Sequence, residues 1–253
     1  MPPLADLIVA ALGALVAGFI NSVAGGGTLV SFPALVAVGV PSLSANVTNT
    51  VALGPGYFGA AFAQREALQD NRHRLRALLP AAGLGGLVGS VLLVITSQRV
   101  FDLLVPFLIL LACALLGFQD AIRARVFGHR LVVDHSVTPP ALVIAVFLTA
   151  IYGGYFGAGI GIMLLSVLGL LLDGELPRLN ALKQVLSLVI NVVAALFFVF
   201  TGKVEWGFAV VMAPASLVGG HFGGSMVGRM NPRVMRAVVI SFGILVALKM
   251  LLS

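Results

Sequence analysis

The side chains of this chain that are best placed for chemistry are neutral hydrogen-bonding groups beside runs of glycine, not acids, bases or nucleophiles. In the first half, Asn21 and Ser22 precede Gly25, Gly26 and Gly27, Thr28 follows them, and Thr48 and Asn49 sit in NVTNT at 46–50. In the second half, Tyr155 leads into Gly157, Gly159 and Gly161, and Gln184, Ser187 and Asn191 come after. Adjacent glycines cost a helix interior about 1 kcal/mol each relative to alanine, so GGG breaks an apolar helix rather than merely lining it. Helices restarting at Thr28 and Ile162 would aim their N-termini at the breaks, and a helix N-terminus carries roughly half a positive charge. Amide and hydroxyl donors grouped around such breaks suit a small oxyanion that must be released again. Taken singly, each of these polar residues reads better as interhelical glue; grouped beside the breaks, they favour a site.

Two ionisable residues fall within apolar stretches. Lys183 lies near the start of its helix, where snorkelling to the membrane interface is the favoured reading. His221 stands in a glycine-rich helix; a packed neutral imidazole is favoured, and its unperturbed pKa near 6.5 makes it the candidate for proton coupling. Catalytic motifs are missing: the chain has no HExxH, nucleophile elbow, Cys/His zinc spacing or Walker A sequence. The GxGxG at 157–161 lacks the strand and soluble βαβ setting of a dinucleotide site. No catalytic residue, metal site or cofactor is expected.

The elements that must hold these residues are membrane helices. Of 253 residues, 60% are hydrophobic and only 9% charged, against roughly 25% charged in soluble domains. Apolar segments of spanning length recur at 4–24, 44–63, 77–96, 100–118, 139–156, 182–200, 206–227 and 234–252, with shorter ones at 28–40 and 160–172. This predicts an all-α, polytopic helix bundle. The start lacks a basic n-region, so the first segment is expected to persist as structure. The single cysteine, Cys113, lies in an apolar helix. The net charge of +6 resides in the connections, where it reports orientation and lipid headgroup contact rather than nucleic-acid binding.

An internal repeat organises the chain. An offset of 134 lays Gly25 and Gly27 on Gly159 and Gly161, and Pro80, Gly85, Gly86 and Gly89 on Pro214, Gly219, Gly220 and Gly223. It also lays Arg99-Val100 on Arg233-Val234. The expected division is a first transmembrane repeat at 1–118, a basic inner-surface linker at 119–138 and a second repeat at 139–253. Each repeat is a glycine-broken or re-entrant helix pair plus three transmembrane helices. From Leu4 to Val40 an unbroken helix would be about 55 Å long, too much for one crossing of a core of about 30 Å, so a turn back is favoured. That topology, with the N-terminus outside, places the arginines at 65–76, 123–130, 178 and 229–236 on the inner side. Only Arg99, Lys203 and Lys249 are then outside, which fits the positive-inside rule better than the alternative. It also makes the two repeats inverted, a recurrent transporter architecture. The spaced glycines at 85, 89, 219 and 223 read as close helix packing.

GFINSVAGGGTLVSFPALVAVGVP, followed by Ala45 to Asn49 as A-x-x-T-N, resembles the first signature of the sulfite exporter TauE/SafE family. The stretch from Gly153-Gly154 through Ala181-Leu-Lys-Gln to Asn191 and Ala194-Ala195 is similar to its second signature. The resemblance implies a small multi-pass transporter of the bacterial inner membrane that exports sulfite, sulfoacetate or a related organosulfonate by alternating access, with uptake of the same class as the alternative. It implies a small anion as partner and leaves homo-oligomerisation open. Asn21 stands where the family often has an acid, Thr28 replaces a fourth glycine, and Thr50 and Gln184 stand where lysines are common. The site therefore carries fewer fixed charges than the family pattern.

Overall fold

The computed structural model describes residues 2–23, 26–63, 72–121, 124, 139–172, 176–225 and 232–252. Gly25 and all but a few residues of the 119–138 linker lie outside the described residues. Within them the chain is helical, without strands. The first half comprises α1 (Leu4–Val23), α2 (Thr28–Ala37), α3 (Ser42–Ala63), α4 (Arg72–Ile95) and α5 (Gln98–Gly117). The second comprises α6 (Pro140–Tyr155), α7 (Ile160–Leu171), α8 (Leu176–Val199), α9 (Trp206–Ser225) and α10 (Pro232–Leu252).

Helix lengths sort the elements. α1, α4, α5 and α8 are long and apolar enough to cross a bilayer, and α3, α9 and α10 have 22, 20 and 21 residues. By contrast α2, at 10 residues, and α7, at 12, reach only about 15 and 18 Å, roughly half the hydrocarbon thickness. α2 doubles back on α1: a β-carbon at Gly27 would collide with the Ala17 carbonyl, and one at Gly13 would lie 2.9 Å from Ala34 Cβ. The first glycine break is therefore the bend of an antiparallel helical hairpin, as the length mismatch predicts. The second helix restart differs from expectation by two residues. α7 begins at Ile160 rather than Ile162, because Gly159 takes a left-handed conformation at φ 75° and closes the turn there.

The helix contacts occur in matched sets. α1 packs on α9 and α6 on α4; α3 packs on α9 and α8 on α4; α3 meets α8, and α5 meets α10. Exchanging α1–α5 for α6–α10 maps this set onto itself. The tightest crossings depend on glycine. β-carbons at Gly219 and Gly18 would strike the carbonyls of Leu15 and Ser216 between α1 and α9. At Gly85, Gly89 and Gly154 they would strike those of Phe147, Ile151 and Gly86 between α4 and α6. Close packing is thus the role of Gly85, Gly89, Gly219 and, against Phe19, Gly223.

Two apolar cores result. The larger joins residues such as Phe32, Phe101, Ile109, Phe156 and Phe198; the smaller joins Leu78, Val146, Leu164 and Leu186 of α4, α6, α7 and α8. The outer faces are apolar as well. Leu84, Val88 and Leu92 on α4, Leu103, Phe107 and Leu111 on α5, and Val234, Val238 and Leu245 on α10 are exposed. Contiguous apolar stripes of this kind would be a liability in water and are what lipid tails cover. This is a membrane protein.

Candidate functional site

The two glycine breaks face each other across α3 and α8. Tyr57 marks the level of the first: it hydrogen-bonds with Thr28 and Asn21 and lies about 22 Å along α3 from Ser42. Two cavities occupy the space between the breaks, with about 310 and 230 Å³ between atoms, open solvent included. They share Tyr57, Gly157, Ile160 and Ser187. Each leaves free room for only about one water molecule, so the side chains around them form a tightly packed polar core.

That core is made by α3 and α8. Asn49, Thr50, Leu53 and Tyr57 share one face of α3, and Gln184, Ser187 and Asn191 recur on α8 at three- and four-residue intervals. Asn49 Oδ1, Asn191 Oδ1, Ser187 Oγ and Gln184 Nε2 are buried without a hydrogen-bond partner. Buried polar atoms are nearly always satisfied, because leaving one unpaired costs about 1–3 kcal/mol. Four of them around these two adjoining cavities mark a place where a polar guest completes the bonding.

Nine of the fifteen residues expected at the site line these cavities: Asn21, Gly26, Thr28, Asn49, Gly157, Gly161, Gln184, Ser187 and Asn191. Five others are engaged elsewhere, and Gly25 is outside the described residues. Ser22 Oγ donates to Gly18 O at 3.2 Å and Gly220 O at 2.8 Å, tying α1 to α9. Thr48 Oγ1 accepts from Glu205 N at 2.9 Å, and Tyr155 OH donates to Thr96 Oγ1 at 3.3 Å. Gly27 lies under Ala17, and a β-carbon at Gly159 would lie 3.6 Å from Ala112.

The breaks differ from expectation in how their amides are used. Gly27 N donates to Asn21 Oδ1 at 2.7 Å. Leu29 N and Val30 N donate to the carbonyls of Gly26 and Gly27, and Ile160 N and Ile162 N to those of Gly157 and Gly159. These tight turns satisfy groups that would otherwise face a ligand. The helix N-termini still contribute their dipoles, while the unpartnered donors aimed at the cavity are side chains.

Both ionisable residues also depart from their favoured readings. Lys183 does not snorkel: it is 7% exposed and lines the smaller cavity beside Gln184, Ser187 and Gly161. It lies about 10 Å into α8, which is too deep in the bundle for its stem to reach an interface. His221 is not packed in the core. It is exposed on α9, with its ring edge-on to Phe222, and lines neither cavity. The sequence reading missed Tyr57, Thr50, Phe156 and Ile160 as lining residues. Tyr57 continues the Asn49, Leu53 face at four-residue spacing, the one signal that could have found it.

The family model for the sulfite exporter TauE/SafE matches residues 10–250, nearly the whole chain. The chain belongs to the TauE/SafE family. A probable membrane transporter protein of Haemophilus influenzae is 28% identical over 93% of this chain and 90% of its own length. The probable membrane transporter protein ORF9 of a Sinorhizobium species is 27% identical over 98% and 92%. The probable membrane transporter protein YfcA of Escherichia coli K12 is 26% identical over 94% and 87%. No solved structure matches the chain. Membership in TauE/SafE and the names of these relatives make this chain a membrane transporter.

Proposed function

We propose that this transporter exports a small sulfur-containing anion, sulfite or a small organosulfonate, across the bacterial inner membrane, and that the cavity between the glycine breaks binds it. The observation that carries this reading is the set of unpartnered buried groups on Asn49, Gln184, Ser187 and Asn191, with Lys183 among them. An oxyanion head offers acceptor oxygens to the unpartnered donors, Gln184 Nε2 and Ser187 Oγ, and to the Lys183 ammonium. The Oδ1 atoms of Asn49 and Asn191 accept only from a protonated head such as hydrogensulfite. The family name supplies the sulfur chemistry.

The packing supports alternating access. The tight pairs α1·α9 and α4·α6 are locked by backbone-close glycine crossings, so they move as units, and the α3·α8 seam between them, which holds the cavity, opens to either side. The matched helix contacts of the two halves support descent of both halves from an inverted duplication. The arginine-rich connections then face the cytoplasm.

The test is efflux of sulfite and of methanesulfonate from proteoliposomes, comparing the wild type with Ser187→Ala and with empty vesicles. Saturable flux, weakened in the variant, is the expected result. Flux no greater than that of empty vesicles for both anions, from folded protein, would overturn the substrate assignment.

A further inference from the structure

Two buried cations are present among the described residues, Arg74 and Lys183. Arg74 sits on α4 and lines neither cavity, whereas Lys183 lines the smaller one. There it is the single charged side chain: its neighbours are Asn21, Tyr57, Gln184 and Ser187, all neutral, with glycines and Ile160 completing the wall. Lys183 forms no ion pair among the described residues. An ammonium withdrawn from water without a counter-ion is costly, so proteins pair such charges or use them.

The cavity beside it holds about one water molecule as it stands, so a counter-ion enters as the α3·α8 seam opens, and the wall it meets there is glycine. Gly161 has no side chain, and the position a β-carbon would take is 3.6 Å from Lys183 Nζ. Gln184 Nε2 and Ser187 Oγ, both unpartnered, flank the same space from the same helix.

We infer that Lys183 selects the charge of the transported anion, matching the site to singly charged oxyanions, a sulfonate or hydrogensulfite head, over doubly charged ones. The inference rests on the cavity being the anion site. One ammonium and one monoanion sum to zero in a closed, water-poor space. A dianion leaves one negative charge uncompensated, and the surrounding amides and hydroxyls donate hydrogen bonds without neutralising it. A neutral solute leaves the ammonium itself uncompensated. The arrangement therefore rejects guests on both sides of a single charge.

The experiment is counterflow of labelled methanesulfonate in proteoliposomes, with unlabelled methanesulfonate or sulfate as competitor; both keep their charge throughout the neutral range. For the wild type, methanesulfonate competes and an equal concentration of sulfate does not. Lys183→Gln raises the half-saturation concentration about tenfold or more, as loss of a charged hydrogen bond predicts, and erases the preference between the two competitors. Lys183→Arg restores the preference. Gly161→Ala adds a methyl at ordinary contact distance from the ammonium, so it folds, and it weakens methanesulfonate binding by filling the counter-ion's place.

Sulfate competing as strongly as methanesulfonate against the wild type would overturn the inference. So would an unchanged half-saturation and preference in folded Lys183→Gln or, where that variant does not fold, in Gly161→Ala. Absence of wild-type counterflow for methanesulfonate and for sulfite would instead overturn the transport reading on which it rests.

Discussion

The two glycine breaks occupy matching places in the two halves yet are finished differently. At the first, Asn21 holds the Gly27 amide, and Tyr57 ties Thr28 and Asn21 together. At the second, the backbone closes on itself through positive φ at Gly157 and Gly159, and the side chains opposite, Lys183, Gln184, Ser187 and Asn191, bring the charge and most of the unpaired groups. One break is stapled and the other is open to a guest. The shared backbone plan builds a cavity, and the side chains divide the work of closing it and of reading what enters.

The comparison can be broken at several points, and the largest effect is expected where the halves are most alike. Gly219→Ala and Gly85→Ala each drive a β-carbon into a carbonyl of the opposing helix, and each costs about 1–3 kcal/mol or more through forced separation of the pair. Thermal melting in detergent should fall for both. An unchanged melt in either would deny that the α1·α9 and α4·α6 crossings are rigid units.

Next comes the open break. Asn191→Leu removes an unpartnered buried carbonyl oxygen, so melting should hold steady or rise. It also takes the side-chain amide N–H2 donor from the cavity wall, so sulfonate flux at low substrate should drop about tenfold, the loss of one good polar contact. A large fall in stability with normal flux would make Asn191 a structural residue instead. At the stapled break the order reverses. Asn21→Ala loses the bond to Gly27 N and should cost about 1 kcal/mol of stability, as loss of a helix cap does, with a smaller effect on flux. The smallest effect belongs to His221→Gln. On an exposed face of α9 and outside both cavities, it should change neither melting nor flux, and loss of flux here would restore the imidazole as a proton carrier.

Much of the fold was legible because lipid simplifies the code. Apolar runs of spanning length mark helices, and the only reason for GGG inside one is a bend, which is where the α1–α2 hairpin turns. The site was legible where polar residues recur on one face of an apolar helix, as Gln184, Ser187 and Asn191 do on α8. It was less so where neighbours point apart. Thr48 and Asn49 are adjacent, but a helix turns about 100° per residue, and only Asn49 faces the cavity while Thr48 meets Glu205. Ser22 likewise turns to α9. Lys183 was misread because the depth of a residue depends on where its helix enters the bundle, and α8 starts at Leu176, earlier than its apolar run at 182–200 suggests. Tyr57 was missed because a tyrosine among alanines and glycines reads as packing until its partners are known.

The account turns on whether the anion sits between the breaks, and the most direct measurement is protection from a thiol reagent. In a Cys113→Ser background, which removes the native thiol, Ser187→Cys places a reactive group in the cavity and Ser22→Cys places one at the α1·α9 contact. Alkylation by N-ethylmaleimide is timed with and without methanesulfonate. The account predicts that the anion slows labelling of Ser187→Cys, with half-protection near the half-saturation of flux, and leaves Ser22→Cys unaffected. Equal labelling of Ser187→Cys with and without the anion, in protein that transports it, would contradict the account.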